Sequence, residues 1–268
     1  MTRLFYLFSV LVLFLTFFSC SSQPQENTQT IKTPEPETSI IDKRQDSIDF
    51  AIEELAKTII TNRNAVERLT EFGDSNRESK VVIYTNYGQL AIKLYRNTPL
   101  HRANFLLLTK KKFYDNTLFY RVIDNFMIQG GNSDDSEINQ KLDRIGRYRI
   151  PNEINNNNIH KKGAIAMAVS PEEQSLGKKS SSINFYIIEG QKLPSYYFKQ
   201  KEEQGKKFSA LQKKIYSKSK GAPHLDGDYT VFGEMISGFQ VLSKISKVKV
   251  DKYNWPINKV VIDSVRTY

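Results

Sequence analysis

One cysteine (Cys20), one tryptophan and three histidines are all that 268 residues contain, and each scarcity excludes something. A single thiol cannot close an intrachain disulfide. His101, His160 and His224 lack the spacing to cysteine or to paired carboxylates that metal ligation needs, so no metal site is expected. The acidic trio Asp134, Asp135 and Glu137 reads as a solvated loop rather than a calcium site. There is no glycine-rich phosphate loop and no G-x-S-x-G elbow, which removes nucleotide hydrolysis and serine-hydrolase chemistry. No apolar run reaches the about 20 residues of a membrane-spanning helix, and no internal repeat is visible. What is present, 39% hydrophobic and 12% aromatic residues, suffices to bury a sizeable core in one or two domains.

The chain opens with Arg3, an apolar stretch from Leu4 to Phe18, then Ser19 and Cys20. This is the layout of an export signal, shorter than a membrane span. A lone cysteine at that point is similar to the bacterial lipobox, in which cysteine becomes the lipid-carrying N-terminus, although Phe17 and Phe18 are bulkier than usual. Residues 1–19 are thus expected to be a lipoprotein-type signal and Cys20 the lipidation site. Residues 20–46 are polar and proline-containing, with too little apolar surface to offset ordering, and read as a tether. Over 47–75 the apolar residues Ile48, Ile52, Leu55, Ile59, Val66 and Leu69 recur near helical spacing, predicting an amphipathic arm that packs on the main domain.

From residue 79 onward the pattern is mostly that of strands. Val81–Tyr84 and Gln89–Leu94 flank a turn at Asn86–Gly88 and predict a hairpin. Thr98-Pro99 opens a helix to about Lys111, with Thr98 as its cap. The runs Gly163–Val169, Ile183–Ile188, Thr230–Glu234 and Lys259–Arg266 predict further strands, and Gly238–Ile245 a second helix. The most informative stretch is Phe119 to Gly131, FYRVIDNFMIQGG. If Phe119–Ile123 and Phe126–Gly130 are strands joined at Asp124-Asn125, alternation puts Arg121 with Ile123, Phe126 with Ile128, and Met127 with Gln129 on the opposite face. A cation, an apolar floor and an amide then meet on one surface.

With Phe113-Tyr114-Asp115 upstream, that stretch resembles the central signature of the cyclophilin family of peptidyl-prolyl cis/trans isomerases. GAIAMAVS from Gly163, INFYII from Ile183 and HLDGDYTVFGEMISGFQVLSKI from His224 follow in the family's order, so the resemblance covers 79–268. It implies a mainly β fold: a closed eight-stranded antiparallel barrel capped by two helices, here with an N-terminal helical arm and a lysine-rich insertion. It also implies catalysis by Arg121 and substrate binding by Phe126, Met127, Gln129, Ala168, Asn184, Tyr186, Leu225 and Tyr229, without cofactor. Rotation about an X-Pro amide breaks no bond, so neither nucleophile nor metal is required.

Some positions depart from the family's commonest residues. Tyr120 and Tyr229 stand where many members have histidine, which implies weak pH dependence near neutrality. Asn184 replaces glutamine. Tyr186 replaces phenylalanine and adds a hydroxyl that needs a partner. His224 stands where cyclosporin-sensitive members have tryptophan, implying weak inhibition by that drug. Beyond Gly131 the family's glycine-rich loop gives way to NSDDSEINQKLDRIGRY.

The insertion at 191–220 carries nine lysines and two glutamates, +7 of the net +10. Phe208, Leu211 and Ile215 predict one helix laying an apolar stripe on the barrel, with lysines facing water. Partners expected are proline-containing unfolded or folding polypeptides, a membrane reached through Cys20, and acidic clients or anionic lipid at the insertion. Nucleic acid is not expected of an exported chain. The sequence therefore predicts an isomerase of the cell envelope, lipid-anchored and facing periplasm or exterior. The alternatives are a non-catalytic proline-binding chaperone and a membrane-surface assembly module.

Overall fold

The computed structural model describes residues 58–133 and 136–268, all within one compact unit, Ile52–Tyr268. The expected signal, tether, Cys20, the start of the arm, Asp134 and Asp135 lie outside the described residues.

Strands β1 (Lys80–Thr85) and β2 (Gly88–Leu94) form the predicted hairpin, paired from Lys80↔Lys93 to Thr85↔Gly88. Their period of two is visible in burial: Val81, Ile83, Leu90 and Ile92 are fully enclosed, while alternate residues face outward. With β3 (Thr117–Ile123), β4 (Met127–Asn132), β6 (Ala164–Met167), β8 (Phe185–Ile188), β9 (Val231–Ser237) and β10 (Val261–Thr267), they close an eight-stranded antiparallel barrel. Its order is β1-β10-β3-β4-β8-β6-β9-β2. Closure removes every exposed strand edge from the barrel. Two short strands, β5 (Arg149–Ile150) and β7 (Ser180–Ser181), pair outside it.

The barrel is filled by aromatic side chains. Phe185 takes Phe105, Tyr114 and Phe119 edge-on at 5.4, 5.4 and 5.9 Å between ring centres, the arrangement ring quadrupoles favour. Phe105 comes from α2 (Pro99–Lys110), which caps one end, and Leu242 and Ile245 from α7 (Phe239–Ile245). The N-terminus of α2 corrects one expectation. Thr98 does occupy the N-cap position, but its hydroxyl turns to the Tyr95 carbonyl. The free amides of Leu100 and His101 are instead met by the Glu153 carboxylate at 3.0 and 2.9 Å, an anion placed where the helix dipole is positive.

Helix α1 (Ala65–Ser75) buries Ala65, Leu69 and Gly73 against α2. Arg102 of α2 donates to the carbonyls of Gly73, Asn76 and Glu78, so a cation closes the C-terminal end of α1. The segment after Gly131 contains a helix, α3 (Glu137–Ile145), where only a replaced loop was expected. A short helix, α4 (Pro171–Ser175), precedes β7.

The insertion holds two helices rather than one, α5 (Tyr197–Glu203) and α6 (Ala210–Lys218). Its anchor is not the expected stripe. Leu211 is half exposed, whereas Tyr216 is 1% exposed, because Tyr216 faces the barrel while Phe208 packs on Phe198 and Tyr197 within the insertion. The ends of the insertion meet: Gln191 and Gly221 exchange backbone hydrogen bonds at 3.1 and 3.3 Å. Gly190, at φ 66°, passes so close to Gly221 that a Cβ would strike the Gly221 backbone, which is why glycine stands there.

Candidate active site

Register builds the site. Arg121 pairs with Gln129, Gln129 with Tyr186, Tyr186 with Ala166, and Ala166 with Val231. One row of outward-facing residues therefore crosses five strands, over a barrel whose inner face is sealed by Phe119, Val122, Ile128 and Phe185. The pairing slips between Phe119 and Arg121, a bulge that leaves Tyr120 beside Arg121 facing Gln129.

The turn between β3 and β4 corrects the face assignment of Phe126. That residue lies before β4, in the Ile123–Phe126 turn closed by Phe126 N–H to Ile123 C=O at 3.1 Å. Strand alternation does not govern it, and it joins Met127 rather than Ile128. Asn125 takes φ 57°, a left-handed conformation that asparagine tolerates. The Phe126 carbonyl accepts the amides of Glu189 and Gly190 at 3.0 and 2.9 Å, which fixes the ring's root.

The resulting surface is an apolar basin with a polar rim. Met127, Tyr186, Ala166 and Val231 form its floor, and Ile123, Phe126, Ala168, Leu225 and Tyr229 pack against them. Met127 and Tyr186 are 2% and 5% exposed, so their contact surface is small and already dry. Tyr229 stands edge-on to Tyr186 at 6.0 Å, and the His224 ring lies over Phe126 at 5.3 Å. On the rim Arg121 is exposed. Its Nη1 donates to Gln129 Oε1 at 3.3 Å, and Gln129 Nε2 donates to the Tyr120 hydroxyl at 2.6 Å. Burial pushes the Tyr120 pKa up to about 12, so it stays neutral. Among the described residues no carboxylate pairs with Arg121, which leaves most of its donors free to meet a ligand.

Of the expected site residues, Arg121, Phe126, Met127, Gln129, Ala168, Tyr186, Leu225 and Tyr229 meet on this one surface. Asn184 is placed differently. Its backbone carbonyl accepts the Ala168 amide at 2.9 Å, and the residue lines a separate cavity of about 350 Å³ with Ser181, Ser182 and Arg149. Its Oδ1 is buried without a hydrogen-bond partner.

The Tyr186 hydroxyl finds a partner that the sequence did not reveal. His160 Nε2 lies 3.0 Å away, and His160 Nδ1 lies 2.8 Å from Asp226 Oδ1. Burial raises the Tyr186 pKa well above normal, so the hydroxyl keeps its proton. Asp226 stands 66 residues from His160, and no local motif links them.

The fold is thus a closed antiparallel barrel that carries, on its outer face, an apolar basin beside an arginine with no carboxylate partner among the described residues. Comparison with known sequences places it further: residues 80–267 match the family described as cyclophilin type peptidyl-prolyl cis-trans isomerase/CLD. The chain belongs to that family, and its domain is that of a peptidyl-prolyl cis-trans isomerase. A Staphylococcus aureus protein provisionally named a peptidyl-prolyl cis-trans isomerase is 32% identical over 189 residues, covering 70% of this chain and 91% of its own length. A Streptococcus pyogenes protein provisionally named a bifunctional phosphatase/peptidyl-prolyl cis-trans isomerase is 29% identical over 231 residues. This chain spans only 45% of that relative's length. In fold, the chain is similar to a crystal structure of a Cryptosporidium parvum cyclophilin type peptidyl-prolyl cis-trans isomerase. That likeness has a TM-score of 0.50 at 24% identity and covers 71% of this chain and 98% of the other.

Proposed function

We propose that this protein accelerates X-Pro rotation in exported or envelope proteins as they fold, with Arg121 as the catalytic residue. The supporting observation is the row Arg121–Gln129–Tyr186–Ala166, which sets a guanidinium with no carboxylate partner among the described residues at the edge of an apolar basin. Resonance holds the X-Pro amide planar with a barrier of about 18–20 kcal/mol. Twisting the bond returns the lone pair to nitrogen, and a guanidinium N–H pointing at that nitrogen binds the twisted state better than either planar one. The basin formed by Phe126, Met127, Tyr186 and Leu225 holds the ring while the preceding residue turns over Ala168, whose small side chain leaves room. Gln129 orients Arg121 and binds substrate backbone, and Tyr229 flanks the ring.

The proposal extends to place. The Arg3-to-Cys20 segment supports export and lipid anchoring at Cys20, which would hold the barrel near a membrane facing periplasm or exterior. Lysines of the insertion would then face anionic headgroups or acidic clients.

The decisive experiment is a cis-to-trans assay on a proline-containing tetrapeptide, comparing the full-length protein with Arg121→Ala. A fall of at least about tenfold, equivalent to about 1.4 kcal/mol of transition-state stabilisation, is expected. A folded protein with no catalysis above the spontaneous rate would instead favour a proline-binding chaperone that captures clients without turnover.

A further inference from the structure

The lysine-rich insertion is joined to the proline basin by a chain of buried and part-buried hydrogen bonds. On α6, Tyr216 donates its hydroxyl to Asp226 Oδ2 at 2.8 Å, and Gln212 Nε2 donates to the same oxygen at 3.2 Å. The other carboxylate oxygen accepts the His160 backbone amide at 3.0 Å and His160 Nδ1 at 2.8 Å. Asp226 thus uses both oxygens fully, and its side chain is 7% exposed. In the tautomer that donates from Nδ1 to Asp226, Nε2 is the acceptor for the Tyr186 hydroxyl. His160 is fully buried and its ring lies within 10° of parallel to that of Tyr186. A second strut runs beside the first: Lys206 of the insertion donates to the His224 carbonyl at 2.9 Å, holding the 3-10 turn Pro223–Leu225 that presents Leu225 to the basin.

We propose that the insertion is the outer support of the proline basin. Tyr216, Asp226 and His160 act as positioning residues that fix the ring of Tyr186 and aim its hydroxyl away from the substrate. This inference rests on the reading of Tyr186 as a wall of the proline site.

Two features favour positioning over mere attachment. The insertion is already closed at its base by the Gln191–Gly221 pair, so the relay is not needed to bring its ends together. The relay also terminates on the one floor residue that carries a polar atom. A Tyr186 hydroxyl left without His160 would have to turn toward the basin and present an unpaired donor to an apolar ring, an arrangement that costs binding. A carboxylate that fixes an imidazole tautomer so that the far nitrogen can serve a hydroxyl is known elsewhere as a geometric device. Here the imidazole orients a wall and takes no part in a bond-breaking step.

The test is a double-mutant cycle in the full-length protein between Tyr216→Phe and Tyr186→Phe, reading KM and kcat on an X-Pro tetrapeptide and the peptide's Kd by titration. Tyr216→Phe is expected to raise KM and Kd about fivefold while kcat stays within about twofold. In the Tyr186→Phe background, where the hydroxyl at the end of the relay is gone, the same change should have almost no effect. The 15N shift of His160 Nε2 should move in Tyr216→Phe, reporting the altered imidazole directly. Effects of the two substitutions that multiply, or a Tyr216→Phe protein with unchanged Kd and unchanged His160 shift, would overturn the proposal. If the wild-type protein bound the peptide without turning it over, the isomerase reading would fail while the Kd cycle would still decide the relay.

Discussion

Arg121 and His224 both border the basin, and their chemistry differs. Arg121 brings a planar fork of donors held by Gln129, so Arg121→Lys should not rescue the loss expected for Arg121→Ala. The ammonium is a point charge with no second donor arm to keep aligned while one N–H meets the twisted nitrogen. The tetrapeptide assay on Arg121→Lys checks this, with activity close to that of Arg121→Ala expected. His224 makes a prediction about stability. Partial desolvation of its ring, with the Lys206 ammonium nearby, holds its pKa below the ordinary histidine value. The unfolded chain therefore takes up this proton first as pH falls, so the His224 contribution is complete above about pH 6.5 and is lost as pH drops below it. Urea midpoints should fall from pH 7.5 to about 5.5, and by less in His224→Gln. At this scale the sequence was informative for residues inside strands and silent on contacts across the chain. Alternation grouped Arg121 with Ile123 and Met127 with Gln129, as the strands have them, but Phe126 escaped it by lying in a turn. Nothing near His160 announced Asp226, Tyr216 or Tyr186 as its neighbours.

Among the elements, the barrel strands were the most legible, because a half-buried strand writes its two faces into alternate residues. Val81, Ile83, Leu90 and Ile92 are the plainest case. Helices whose support comes from elsewhere were harder to read. The α2 cap is the clearest instance: Thr98-Pro99 announced the start, while the group that satisfies the amides arrives from Glu153, 53 residues beyond Leu100. That carboxylate also takes His101 Nδ1 at 2.6 Å. Glu153→Ala would strand two helix amides and a buried imidazole together, and a loss of about 2–4 kcal/mol is expected. Urea unfolding measures it, with no change in the denaturant slope if the native barrel is retained. Helices α3 and α5 were missed for a related reason. In α3 the stripe Ile138, Leu142 and Ile145 does recur at helical spacing and packs on the core, but it is short and set among polar residues, while α5 takes its packing from Phe208 and Tyr216, aromatic residues of the same insertion outside α5.

For the molecule as a whole, charge is concentrated on one appendage. The insertion holds +7 of the +10, and only some of its cations are matched: Lys213 pairs with Glu202, and Lys220 lies 3.5 Å from Glu189. Lys214 and Lys218 are exposed and line an open groove with Leu211 and Phe239. Cations around half-exposed apolar side chains suit an anionic surface. Protein beginning at Ile52 should co-sediment with phosphatidylglycerol vesicles at low salt, and a Lys214→Glu/Lys218→Glu variant should remain in the supernatant.

The meeting of Gln191 with Gly221 has one more consequence. Because the polypeptide leaves the barrel and returns at hydrogen-bonding distance, the barrel itself closes the loop, and loop length enters the folding free energy only logarithmically. This junction is a natural splice point. A stretch of other length could stand between Gly190 and Gly221 without unpairing any barrel strand, provided that it still brings a hydroxyl to Asp226 as Tyr216 does.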